Sequence, residues 1–289
     1  MQNKSSLFGV CRLTSAKGRF VKAHILPRAL TQIGPVSAPI ALLCGAERRP
    51  IRRWSSWYDP ALVIRSGEDI LADYDAFGID FLRRNHLIWS SWGKHMVLPS
   101  VEGQTKPIGV REVSVENPPI LRLFFASLLW RAVTTSLFEF SDIKLPDDHI
   151  ELLRHSLVEQ MPLDASFYPM TLVQLVTRAE DHIRAPFRTD MITFSDDGVV
   201  TGMIPVFRFY FDGLSFIVRL PHHAESEKLG DAAIGNSERL FVQTMPFEIS
   251  RQIADFRHNH AEALRHWPSD LAKLGVTKPP FTDYDPGRG

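Results

Sequence analysis

Ala23-His24-Ile25-Leu26-Pro27-Arg28 is the stretch on which the interpretation of this chain turns. It closes a segment, residues 19–26, in which Phe20, Val21, Ile25 and Leu26 are strand formers. A first strand over residues 9–13 precedes it, across the turn residues Ser15-Ala16-Lys17-Gly18. Residues 31–53 hold Gly34-Pro35, Pro39, Gly45 and Pro50, which predict a long irregular loop. Beyond the loop, Ser66-Gly67-Glu68-Asp69 is a helix start with acids in its first turn, and Ile70, Leu71, Tyr74, Phe77, Phe81 and Leu82 follow at helical intervals. The order is strand, strand, loop, helix, with His24 near the end of the second strand and the carboxylates Asp59 and Glu68 ahead of and within the helix start.

That order and those residues resemble the HNH, or ββα-metal, endonucleases. The resemblance covers residues 1–94 and implies an HNH-like ββα-metal domain there. It gives His24 the part of the general base and Asp59 the place of the family's central asparagine. Asp59 and Glu68 would then bind Mg2+ or Mn2+ through hard oxygens, and Arg28, Arg48, Arg49, Arg52 and Arg53 would hold nucleic-acid phosphates, DNA being the expected substrate. Many members carry two Cys-x2-Cys pairs. Here the corresponding positions read Cys11-x2-Thr14 and Ile64-x2-Gly67, and Ala23 stands where a metal-binding residue usually precedes the histidine. A structural zinc needs four thiolate or imidazole ligands, so none is expected. Bacterial proteins with a His-Ile-Ile-Pro block and a Leu-Leu-Trp-Arg helix also look similar, here through Leu128-Leu129-Trp130-Arg131. The implied function is metal-dependent hydrolysis of phosphodiester bonds, in a family whose bacterial members commonly defend against phage or mobile DNA. The alternative is a catalytically silent HNH-like adaptor that binds nucleic acid or protein.

Each of these residues also has a plainer interpretation. A histidine near a strand end serves as a hydrogen-bonded structural residue, Asp59 before Pro60 as a turn residue, and Glu68 as a helix acid favoured by the dipole. His222-His223 and His258-x-His260 have spacings that do not present two imidazoles on one helix face, and they read as surface features. Trp54, Trp57, Tyr58, Trp89 and Trp92 either stack on bases or pack the core.

The formal net charge of the 289 residues is zero, but it is unevenly spread: residues 1–65 hold eleven Lys and Arg against two acids, leaving the remainder acidic. A basic half joined to an acidic one is an electrostatic footprint for nucleic acid on one side and for a protein partner on the other. The two cysteines argue against a disulfide framework, and the absence of a signal-like or membrane-length apolar run predicts a cytoplasmic protein with no membrane partner. Pro99, Gly103, Pro107, Gly109, Pro118 and Pro119 predict a linker over 95–119. An α+β domain over 120–276 follows, with a helix from Pro119, helical patterns at 147–160 and 171–185, strands at 191–194 and 199–220, a last helix at 247–266 and a loose tail over 277–289. Within it, Asp212-Gly213 between apolar runs predicts an antiparallel hairpin or small sheet. No phosphate-binding loop, dinucleotide fingerprint or Gly-x-Ser-x-Gly elbow is present, which disfavours nucleotide-driven motors, Rossmann enzymes and ordinary serine hydrolases.

Overall fold

The computed structural model describes residues 7–31, 40–42, 51–53, 56–98, 108–178, 184–194, 197, 199–220 and 229–273. The first half contains β1 (Phe8–Val10), β2 (Lys17–Arg19), β3 (Ala23–His24), α1 (Arg28–Thr31), β4 (Ile40–Leu42), β5 (Ile51–Arg53), β6 (Tyr58–Asp59) and α2 (Arg65–Arg84). The second contains β7 (Gly109–Ser114), α3 (Pro118–Thr134), α4 (Asp147–Val158), β8 (Met170–Leu175), β9 (Arg184–Phe194), β10 (Val200–Phe211), β11 (Leu214–Arg219), β12 (Arg239–Met245), α5 (Arg251–His266) and α6 (Pro268–Lys273). The class is α+β. No helix among the described residues is long and apolar enough to cross a membrane.

Three short antiparallel pairs, β1–β2, β3–β6 and β4–β5, form in the first half, while the larger sheet runs in the order β7-β12-β8-β11-β10-β9. All its pairings are antiparallel except β12–β8. The second half is thus built on a six-stranded sheet rather than an isolated hairpin. Residues 170–175, within a stretch whose apolar spacing predicts helix, are instead β8, lying between β11 and β12. Tertiary pairing overrides the local pattern where Thr171, Val173 and Leu175 are good strand residues. The stretch 95–119, expected as a linker, contains β7, and the loop expected over 31–53 contains the β4–β5 hairpin. The first strand is cut short, because residues 11–14 turn back on themselves.

Asn117 starts α3 by accepting a hydrogen bond from the Ile120 N–H at 3.2 Å, with Pro118 and Pro119 in the first turn, where no intrahelical donor is needed. Helices that are apolar all round are buried all round, and α3 obeys this from Leu121 to Ala132. On one side it meets α2, where Gly78 lets the Phe124 ring lie so close that a Cβ would sit 2.2 Å from it. On the other side Phe125 packs against Phe216 of β11 with ring centroids 4.7 Å apart. One hydrophobic cluster therefore runs from Cys11 and Trp57 through α2 and α3 to Phe216 and Val242.

The Asp212-Gly213 turn forms as expected, with φ of 49° and 79°, values for which Gly is suited and Asp tolerated. Its tip docks on the segment Trp89–Trp92. Ser90 N–H donates to the Asp212 carboxylate at 3.1 Å and Trp89 N–H to the Asp212 carbonyl at 2.9 Å.

Candidate functional site

His24 lies on a two-residue strand whose register settles which neighbours it can share a face with. Ala23 pairs with Asp59 and His24 with Tyr58. Directly opposed residues of an antiparallel pair point to the same face, and successive residues to opposite faces. His24 and Tyr58 therefore share one face, and Asp59 leaves from the other, beneath Ala23. Asp59 is 2% exposed. One carboxylate oxygen accepts from the Ala61 N–H at 2.8 Å, the other from the Thr135 hydroxyl at 2.7 Å and the Ser136 N–H at 3.4 Å. It fastens the corner after β6 to the end of α3, and is not turned toward His24 as a metal shell shared by the two would require.

On the other face, His24 is half-buried among cations. Burial, then Lys22, Arg131 and Arg28, push its pKa below the ordinary value, with Asp75 opposing them. Its imidazole is accordingly neutral at pH 7. The Lys22 ammonium lies 3.8 Å from the centre of the Tyr58 ring, which is 41% exposed, a cation–π contact at the surface. Arg28, exposed at the start of α1, follows the buried Pro27.

Glu68 lies in the first turn of α2, where burial raises its pKa, with Arg131 and Arg65 opposing and Asp75 and Asp69 adding to the rise. Asp75 is seven residues further along the same helix, hence on nearly the same face. Both look toward Arg131 of α3, which the sequence presents only as an interruption of an apolar stripe. Arg131 donates to both Asp75 oxygens, at 3.0 and 2.5 Å, to the His24 carbonyl at 3.1 Å, to the Ser127 hydroxyl at 3.0 Å and to the Ser127 carbonyl at 3.2 Å. This is a bidentate fork satisfied on nearly every side. The available sequence signal was Ser127-x3-Arg131, two polar residues one turn apart inside an otherwise apolar helix.

Of the positions aligned with the two Cys-x2-Cys pairs, Cys11, Thr14 and Gly67 lie together. Cys11 is buried, its sulfur accepts from the Thr14 N–H at 3.4 Å, and a Cβ on Gly67 would lie 2.8 Å from that sulfur. Ile64, three residues before Gly67, bridges to Phe20 and packs over Gly18.

A divalent Mg2+ or Mn2+ ion calls for several hard oxygens. The described donors do not fit one: Asp59 is consumed by the α3 corner, Asp75 is neutralised by Arg131, and Glu68 remains alone beside a buried guanidinium that repels a second cation. Among the described residues no group of three His, Cys, Asp or Glu is placed to hold a metal. Arg48 and Arg49 lie outside the described residues. Arg52 and Arg53 belong to β5, opposite Ala41 and Ile40, and their side chains lie outside the described set. Of the other histidines, His222 and His223 also lie outside it, while His260, expected at the surface, is 2% exposed under α5.

No family model matches the chain, and no solved structure matches it. Over 89 residues, 31% of this chain, it is 34% identical to the "Uncharacterized protein ORF19" of Ostreid herpesvirus 1 (isolate France). The match spans a fifth of that viral protein's length.

Proposed function

We propose that the first half of this chain is a catalytically silent HNH-like module that binds nucleic acid, DNA in the first instance, through the face carrying His24, Tyr58, Lys22 and Arg28. The observation that carries this is the cationic surround of His24: Lys22, Arg131 and Arg28 all depress its pKa. Positive potential beside an exposed aromatic ring is what a phosphate backbone and its bases seek. Support for the HNH-like ancestry is the closeness of Cys11, Thr14 and Gly67 and the chain order β3, β6, α2. The acidic second half then serves as the surface for a protein partner, and the protein works in the cytoplasm.

Metal-dependent cleavage, the endonuclease activity of the resembling family, is the second reading. One observation favours it: a neutral His24 ring is a competent general base at neutral pH. The test is fluorescence anisotropy of the full chain on duplex DNA, single-stranded DNA and RNA, with a parallel cleavage assay in Mg2+ and Mn2+. Binding without cleavage is expected, weakened by Lys22→Glu and Arg28→Glu. Cleavage abolished by His24→Ala would establish the second reading instead, and no binding to any of the three would overturn both.

A further inference from the structure

The six-stranded sheet ends on one side at β9, whose outer edge meets no other strand among the described residues. Which backbone groups face that edge follows from Pro205 of β10. Pro205 has no N–H, and its carbonyl accepts from the Leu220 N–H at 3.0 Å, so its hydrogen bonding is directed to the β11 side. Asp190, opposite Pro205 on β9, therefore belongs to a pair without hydrogen bonds, and its own N–H and C=O point outward. Alternation along an antiparallel strand turns those of Arg188 and Ile192 outward as well. The pairing with β10 is regular from Phe187 to Thr193, so this stretch of edge is straight enough to serve as a template for another strand.

The side chains decide which strand fits. Arg188, Asp190 and Ile192 leave from one face and are exposed, and neither Arg188 nor Asp190 makes an ion pair among the described residues. An edge that only repels neighbours does so with charges of one sign. Here opposite charges stand two residues apart, an arrangement complementary to itself. A two-fold axis at Thr189 sets Arg188 opposite the partner's Asp190, and Asp190 opposite the partner's Arg188. Both residues face outward, so these are also the hydrogen-bonded pairs of the new ladder. On the other face half-buried Phe187 meets the partner's Met191. Ile192, 46% exposed and paired with Met203, itself 64% exposed, comes against the partner's Pro186, whose missing N–H closes the ladder. An axis at Arg188 or at Asp190 would set like charges directly opposite, and an axis at Met191 would set Asp190 against the partner's Ile192. Charge thus selects one register.

We propose that β9 is a dimerisation edge: two copies of this chain pair their β9 strands antiparallel about Thr189, joining two six-stranded sheets into one. The interface is isologous, so each contact is made twice, and each change to it counts twice.

Sedimentation equilibrium of the full chain over a concentration series tests this, and a monomer–dimer equilibrium is expected. Asp190→Arg puts two like-charge pairs on the edge and should weaken dimerisation roughly tenfold or more, as should Arg188→Asp. The double exchange, Arg188→Asp with Asp190→Arg, restores both pairs and should restore the dimer. Both positions are exposed, so the fold, followed by circular dichroism, should be unchanged in all three. Thr189→Cys lies on the axis, in a pair without hydrogen bonds whose Cα atoms stand about 4.5 Å apart, within reach of a disulfide. Oxidation should give a covalent dimer there. Met191→Cys, offset along the strand from its own copy, should give none beyond the wild-type chain with its two cysteines. A monomer at every concentration, or a dimer indifferent to both single charge reversals, would overturn the proposal. Cross-linking through Met191→Cys rather than Thr189→Cys would overturn its register.

Discussion

Arg131 and Asp75 make the sharpest claim about the candidate site, because replacing either one should move His24 in opposite directions. Arg131→Met removes a cation that depresses the His24 pKa and leaves Asp75, which raises it, unmatched, so the imidazole should titrate higher. Asp75→Asn removes the only opposing anion and should push it lower still. Both variants break a pair whose side chains are 2% and 20% exposed. Breaking a buried pair costs about 3–5 kcal/mol, and the partial exposure of Asp75 puts the expected loss near the lower end, about 3 kcal/mol, a large share of a typical domain's stability. Arg131→Met should cost more than Asp75→Asn, since it also strips donors from the His24 and Ser127 carbonyls. Urea denaturation gives the stabilities, and NMR titration of the imidazole, assigned by the loss of its signal in His24→Gln, gives the shifts. Shifts of the same sign in the two variants, or stability losses below about 1 kcal/mol, would refute the placement of this pair beside His24.

Four further outcomes are expected. Because the folded His24 binds its proton less readily than the unfolded chain, its contribution to stability is present above about pH 6.5 and is lost as pH falls through the lowered folded value; His24→Gln should flatten that part of a stability–pH profile measured by thermal unfolding. Glu68, with a raised folded pKa, has the opposite sign, stabilising at low pH and losing that contribution as pH climbs through its folded value, so Glu68→Gln should be more stable than wild type at pH 7. Asp59→Ala should cost roughly 2 kcal/mol by leaving the Thr135 hydroxyl and Ala61 N–H unmet, read by urea denaturation, with no change in any dependence on Mg2+ or Mn2+. Thr14→Cys, Ile64→Cys and Gly67→Cys introduced together with native Cys11 should give stoichiometric zinc uptake and the thiolate charge-transfer bands of a tetrahedral Co2+ derivative; a chain that folds but binds neither ion would separate the four positions and with them the HNH likeness.

Much of the first half was legible because its signals are local. An acid-rich helix start is a pattern of adjacent residues, and the structure places α2 close to where it predicts, whereas the strand expected over 19–26 is divided between β2, which takes in the expected turn residues Lys17 and Gly18, and β3, and the two pair with different strands. The Asp212-Gly213 hairpin was legible for the same reason. What was not legible depends on partners far away in sequence. Residues 170–175 become β8 only because β11 and β12 close on both sides, and β12 itself, with Leu240, Val242 and Thr244 buried in alternation, carries a period-two signal that was passed over. The site divided the same way. His24 and Glu68 are marked by sequence, while Asp75 and Arg131 acquire meaning only when α2 and α3 pack. Asp59 is marked by spacing, but a strand of two residues gives no periodicity from which to read which way its side chain points.

The first half leans on the helices that follow it. Cys11 and Ile64 supply apolar burial, but the corners near them are fastened from α3 and α4. Arg154 of α4 donates to the Leu13 carbonyl at 2.8 Å, Arg12 reaches the Thr134 carbonyl at the end of α3, Thr135 and Ser136 hold Asp59, and Arg131 holds the His24 carbonyl. Two of the four act on backbone carbonyls of the short, irregular first segment and a third on a carbonyl at the end of α3, places where no regular backbone partner is at hand and a charged donor is worth most. The same contact that fixes the His24 backbone also places a permanent positive charge beside its ring. The segment held in this way carries a neutral histidine among cations, while the opposing carboxylate, Asp75, is itself engaged by Arg131.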